Sequence, residues 1–183
     1  FWPGQYAKTY VYADKNYDSI FAALKAGQVF VTTGDLIDAL FVEVAVKNST
    51  KTATAGQTLT VKPDDELVLR VRFRDPTSNN GGGFNPEVER VDMIQGLIKG
   101  AASQRNSDEA PDTKVAKRLY PADWSIKDGY SQFELRHLVK TVPGGGGIGF
   151  THLGLVPRGI FERGIKTAKL TSKIFMVEVQ PIV

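Results

Sequence analysis

The chain has 183 residues, 42% hydrophobic and 23% charged, with a net charge of +3 and no cysteine. That length can bury one core, or one domain plus a fragment of another, and the composition is ordinary for a globular protein. It excludes disulfide frameworks, zinc thiolates and cysteine nucleophiles, offers too little positive charge to argue for nucleic acid, and contains no apolar run of membrane-spanning length.

In chain order, β-branched and aromatic residues from Lys8 to Ala13 predict a strand, and Asp14 to Asn16 a turn. Tyr17 to Ala26 reads as a helix. Ile20, Ala23 and Leu24 give the apolar spacing, Asp18 or Ser19 is the expected cap, and Gly27 stands in the usual C′ place. Gln28 to Thr33 follows as a short apolar strand, completing a β-α-β segment.

After Asp38 the helical period gives way to alternation. Val42, Val44 and Val46 share one face, as do Leu59 and Val61. From Glu66 to Arg74 the pattern is clearest: Leu67, Leu69, Val71 and Phe73 point one way, Val68, Arg70, Arg72 and Arg74 the other. A period of two with one wet face marks an antiparallel sheet. Further strands are expected at Val88–Gly96, Lys114–Tyr120, Tyr130–Val139, Gly149–Val156, Gly159–Leu170 and Lys173–Val183. Asp75–Pro86 reads as a mobile hairpin tip, and Gly100–Thr113 and Pro143–Gly147 as polar or glycine-rich connections. The fold class is mainly β: an antiparallel β-sandwich with an immunoglobulin-like outline, preceded by the short β-α-β segment.

Several residue groups invite a chemical reading. Arg70, Arg72 and Arg74 are a possible anion-binding stripe, since guanidinium groups suit phosphates and other polyanions. The alternative is a solvated face paired across the sheet, with Glu87, Glu89 and Asp92 as expected partners. His137 shares parity with Phe133 and Leu135 and is expected to be a satisfied inward residue; with His152 alone it makes no metal pattern. Gly144 to Gly149 formally matches a dinucleotide fingerprint, but no helical period follows it, as phosphate binding there requires. No metal ligand is assigned in this chain.

Two segments carry a family resemblance. One is Phe1-Trp2-Pro3-Gly4-Gln5-Tyr6-Ala7-Lys8-Thr9-Tyr10-Val11-Tyr12-Ala13, and the other Ala23-Leu24-Lys25-Ala26-Gly27-Gln28-Val29-Phe30-Val31-Thr32-Thr33-Gly34-Asp35-Leu36-Ile37. Together they resemble the end of a PHP-type (polymerase and histidinol phosphatase) metallohydrolase domain, in the branch that includes carbamate-ester hydrolases. The resemblance implies that residues 1–38 are the terminal β-α-β portion of a catalytic domain and 39–183 a β-sandwich accessory domain. It places the His-x-His opening and an Asp ligand upstream of Phe1. The divalent ions of the parent (Mn, Zn or Fe) would then be held outside this chain, with no cofactor within it.

On that resemblance the chain is expected to be the non-catalytic C-terminal region of a metal-dependent phosphoesterase or hydrolase. Gln5, Lys8, Thr33 and Asp35 would border the parent's active site, Lys8 facing an anionic substrate. The expected partner is the upstream catalytic domain of the same polypeptide, with a homo-oligomer also open and neither nucleic acid nor membrane. A soluble protein is expected, and the compartment, cytoplasmic or periplasmic/secreted, is left open. The alternative is a stand-alone β-sandwich module that binds carbohydrate or a protein partner, with Phe84, Trp124 and Tyr130 as its aromatics. Fold alone does not choose between them.

Overall fold

The computed structural model describes residues 7–98, 113–139, 147–157 and 175–179. In chain order the elements are β1 (Ala7–Val11), α1 (Tyr17–Ala26), β2 (Val29–Thr33), β3 (Ala39–Val46), β4 (Thr52–Thr54), β5 (Gln57–Val61), β6 (Glu66–Arg74) and β7 (Val88–Ile98). They continue with β8 (Thr113–Leu119), a 3₁₀ turn (Pro121–Asp123), β9 (Ser125–Lys127), β10 (Tyr130–Leu138), β11 (Gly147–Pro157) and β12 (Phe175–Val179). The short strands β4 and β9 were not anticipated, and the expected strand Gly159–Leu170 lies outside the described residues.

The first segment is a hairpin with a helix set into its turn. β1 and β2 are antiparallel neighbours, so α1 is not a parallel crossover. Tyr10 faces Phe30 across the pair and their rings stack, with centroids 4.5 Å apart. The helix cap is Asn16 rather than Asp18 or Ser19: its side-chain oxygen accepts from the Ser19 N–H at 2.9 Å. Ser19 thus supplies the donor, while Asp18 places negative charge in the first turn. Gly27, at φ 76°, ends the helix in the left-handed conformation that glycine takes without strain.

Two five-stranded sheets hold the rest, ordered β4-β3-β6-β10-β9 and β5-β12-β11-β7-β8. The first is antiparallel throughout. The second is mixed, because β12 runs parallel to β5, a departure from the all-antiparallel expectation. Neither sheet closes on itself. Gly147 and Gly149 lie within strand β11, so no helix N-terminus follows the glycine run.

Alternation decides what is buried. Leu67, Leu69, Val71 and Phe73 of the central strand β6 join Val42 and Val44 of β3, Leu59 and Val61 of β5, Val91 and Met93 of β7 and Leu119 of β8 in one cluster. Phe30, Leu36 and Ile37 belong to the same cluster, so packing is continuous across residue 38. Each large side chain buried in this way contributes about 1.5–3 kcal/mol.

The connection after β6 corrects another expectation. β6 and β7 lie in different sheets, so the intervening segment is a crossover and not a hairpin tip. Asn80 organises it. Its Oδ1 accepts from the N–H groups of Gly82 at 2.9 Å and Phe84 at 3.1 Å, and its Nδ2 donates to the Gly34 carbonyl at 2.9 Å.

A second close approach sits at Gly56 (φ 79°), in the turn from β4 to β5. A Cβ there would lie 2.4 Å from the Ala26 carbonyl oxygen and 2.9 Å from the Gln28 backbone nitrogen. Gly129 (φ 76°), in the Asp128–Gly129 hairpin between β9 and β10, has open space around it. Gly56→Ala is therefore expected to destabilise by about 2–4 kcal/mol, combining backbone strain with overpacking. Gly129→Ala should cost only about 1 kcal/mol. Urea unfolding of both variants measures the difference, and equal losses would remove the steric role assigned to Gly56.

Candidate functional site

The turn after β2 brings together three of the four residues expected to border a parent active site. Lys8 on β1 stands opposite Thr32, and Ala7 opposite Thr33. The Lys8 ammonium lies 2.6 Å from the Asp35 carboxylate. That bond raises the Lys8 pKa above its ordinary value. Lys8 is thus partnered within the chain rather than presented as a free point charge. Gln5 lies outside the described residues. Asp35 (φ 57°) and Gly34 (φ 62°) both take left-handed backbone, and Asn80 pins the Gly34 carbonyl. The sequence did not single out Asn80.

A second site lies on the outward face of the first sheet. Arg70, Arg72 and Arg74 do form a stripe there, but their carboxylates come from elsewhere than expected. β6 pairs with β3 and β10, so Arg70 meets Glu43 at 2.9 Å and Glu134 at 3.2 Å. Arg74 meets Asp38 at 2.7 Å. β7 belongs to the other sheet, where Asp92 is buried and pairs with Arg90 at 3.1 Å and Arg118 at 3.5 Å. The neighbouring acids raise the pKa of Arg70 and Arg74, each mainly through a side-chain hydrogen bond.

Arg72 differs. Among the described residues it has no carboxylate partner; its guanidinium lies 4.6 Å from the Phe41 ring centre and 4.5 Å from that of Tyr130. Such contacts attract the cation without supplying an acceptor for its N–H groups. Arg72 is exposed and borders a groove of ≈ 860 Å³, together with Phe41, Gln132, Ser125, Thr54 and Gln28. Tyr12 forms part of one wall, where its hydroxyl donates to the Leu40 carbonyl. Burial pushes the Tyr12 phenol up to about 12, so it stays a neutral donor.

Other expected groups are dispersed. His137 is on β10 and His152 on β11, in different sheets, and His137 is partly buried with a partner. Among the described residues no three His, Cys, Asp or Glu side chains are grouped to hold a metal ion, and no helix is long and apolar enough to cross a membrane. Trp124 packs edge-on against Phe73 at 5.5 Å, Phe84 is exposed on the crossover, and Tyr130 stacks on Arg72. These three aromatics form no common platform. Comparison with family models, curated proteins and solved structures finds no match for this chain.

Asp75 opens the crossover and ties it to the second sheet, its Oδ2 accepting the Val88 N–H at 2.9 Å. Burial raises its carboxyl above the usual carboxylate value; the Val88 hydrogen bond opposes this and the charges of Glu87 and Asp38 add to it. A carboxyl that holds its proton more tightly when folded favours folding below its unfolded pKa. That contribution is lost as pH rises through the folded value. Asp75→Asn keeps an acceptor for Val88 without the charge. It should be more stable than the parent at pH 7 by a few tenths of a kcal/mol, allowing for solvent screening, with the gap closing below about pH 4. Thermal melts across that range check the sign, and a gap that widens in acid would reverse the assignment.

Proposed function

We propose that the chain is the non-catalytic C-terminal region of a metal-dependent hydrolase of the PHP type. In this reading residues 1–38 close the catalytic domain. Residues 39–183 form an accessory β-sandwich, immunoglobulin-like in outline, that packs on the catalytic domain and supports it. The single buried cluster drawn from both five-stranded sheets supports the sandwich.

The observation that carries the reading is the outward stripe of α1. Tyr17, Phe21 and Leu24, spaced i, i+4, i+7, are 82%, 59% and 44% exposed, while Ala23 faces the body of the chain and is buried. A short helix with aromatic side chains left in water has a face suited to cover by another surface. The upstream catalytic domain is the proposed cover, and the divalent ions would be held there. A second reading, a binding module for carbohydrate or a protein partner, is supported by the open groove over β3, β6 and β10.

The chain alone, supplied with Mn²⁺ or Zn²⁺, is expected to hydrolyse bis(p-nitrophenyl) phosphate only at the background rate. Robust turnover would place the catalytic ligands within it and end this reading. The triple variant Tyr17→Ser/Phe21→Ser/Leu24→Ser should leave the isolated chain's melting temperature nearly unchanged. In a polypeptide that also carries the upstream domain it should lower stability by about 2 kcal/mol or more. No loss there would remove the stripe as an interface.

A further inference from the structure

The geometry points to the groove on the outer face of the first sheet as a binding site for an acidic sugar: a ring bearing one carboxylate among several hydroxyls. This inference is independent of the accessory role, because it uses residues of β3, β4, β6 and β10, with Gln28 from the turn before β2, and not the α1 stripe.

The argument begins with the shape of a guanidinium. It has two apolar faces and an edge that carries five N–H donors. At Arg72 the rings of Phe41 and Tyr130 lie against the guanidinium at 4.6 Å and 4.5 Å, and with their centres 6.1 Å apart they flank one side of it rather than sandwich it. The edge meets no acceptor among the described residues. The rings hold the side chain in place without neutralising it, so a planar acceptor can bind in two-pronged fashion at little cost in side-chain ordering. Arg70, one register step away on the same face, is already satisfied by Glu43 and Glu134.

Charge then chooses among anions. The Arg70 cluster places two carboxylates beside the groove, and Arg74 is matched by Asp38. Among the described residues Arg72 is the arginine of this stripe without a carboxylate, so its charge suits a monoanion, whereas a phosphate dianion would be repelled more strongly by Glu43 and Glu134. A carboxylate fits both the planar edge and the charge.

The remaining lining chooses the rest of the ligand. The side chains of Gln28, Gln132 and Thr54 border the groove and make no hydrogen bond to other described residues. Amides and hydroxyls, each able to donate and accept, suit sugar hydroxyls. Phe41, 44% exposed, adds an apolar edge. The volume of ≈ 860 Å³ lies within the range of roughly 300–1,000 Å³ seen for ligand sites and leaves room for sugar rings beyond the acidic one.

The test is an NMR titration of the whole chain with D-glucuronate, D-glucose, acetate and inorganic phosphate, following the Arg72 Nε–H and the Gln132 side-chain amide. D-glucuronate is expected to shift both signals saturably, with an affinity at least tenfold above each of the other three. Arg72→Gln should cost tenfold or more, and Gln132→Ala, which disturbs no ion pair, about threefold. Acetate or phosphate binding as tightly as D-glucuronate would overturn the assignment. So would absence of shifts at Arg72, or affinity unchanged in Arg72→Gln.

Discussion

The parity of β6 is the constraint on which the remaining architecture depends. β6 is the middle strand of its sheet, with β3 on one side and β10 on the other. Its odd positions from Leu67 to Phe73 are apolar and fill the common cluster; the even positions from Arg70 to Arg74 must then face water. A shift of one residue in register would bury three guanidinium groups and expose four large apolar side chains. That penalty restricts β3 and β10 to pairings that keep the parity of β6. The outer face inherits its order directly: Phe41 and Gln132 stand opposite Arg72, and Glu43 and Glu134 opposite Arg70.

The β1–α1–β2 segment is bound into this arrangement at several points. Phe30, Leu36 and Ile37 reach the common cluster. The Tyr12 hydroxyl bonds to the Leu40 carbonyl on β3. The β4–β5 turn passes so near the end of α1 that only a glycine fits at position 56. These contacts also build part of the groove, since Tyr12 and Gln28 stand beside Phe41 in its lining. The segment is thus both a packing partner of the sheets and a wall of the polar site, while its own helix keeps an apolar stripe in water.

Local patterns were legible in the sequence, and pairing was not. The helix from Tyr17 to Ala26, the glycine that ends it, and the alternation of β6 follow from spacing that any short window displays. The exposed stripe of arginines followed from the same parity. Which carboxylates meet those arginines depends on which strands become neighbours, and that is a long-range property. Glu89 and Asp92 are the nearer acids in sequence, yet β7 crosses to the other sheet and the partners are Glu43 and Glu134. Phe41 and Glu43 did carry a signal: they occupy the wet parity of the Val42, Val44, Val46 strand. Asn80 carried less, since its role depends on meeting the Gly34 carbonyl, 46 positions away in the chain. The Asn16 cap was nearer to hand, because Asn immediately before Tyr17 is a favoured N-cap residue.

The three arginines of one strand show how context separates chemically identical groups. Arg70 and Arg74 lie against carboxylates, so their charge is matched within the chain. Exposed pairs of this kind add little stability, but they settle where charge is neutralised on the face. Arg72 is given rings instead. A ring face attracts a cation without accepting its in-plane N–H bonds, which leaves positive charge and donors available at one fixed place. The adjoining acids raise the cost of any strongly negative ligand, and the neutral amides and hydroxyls do not. The selectivity of the face therefore rests less on how many arginines it carries than on which one the neighbouring strands leave unmatched.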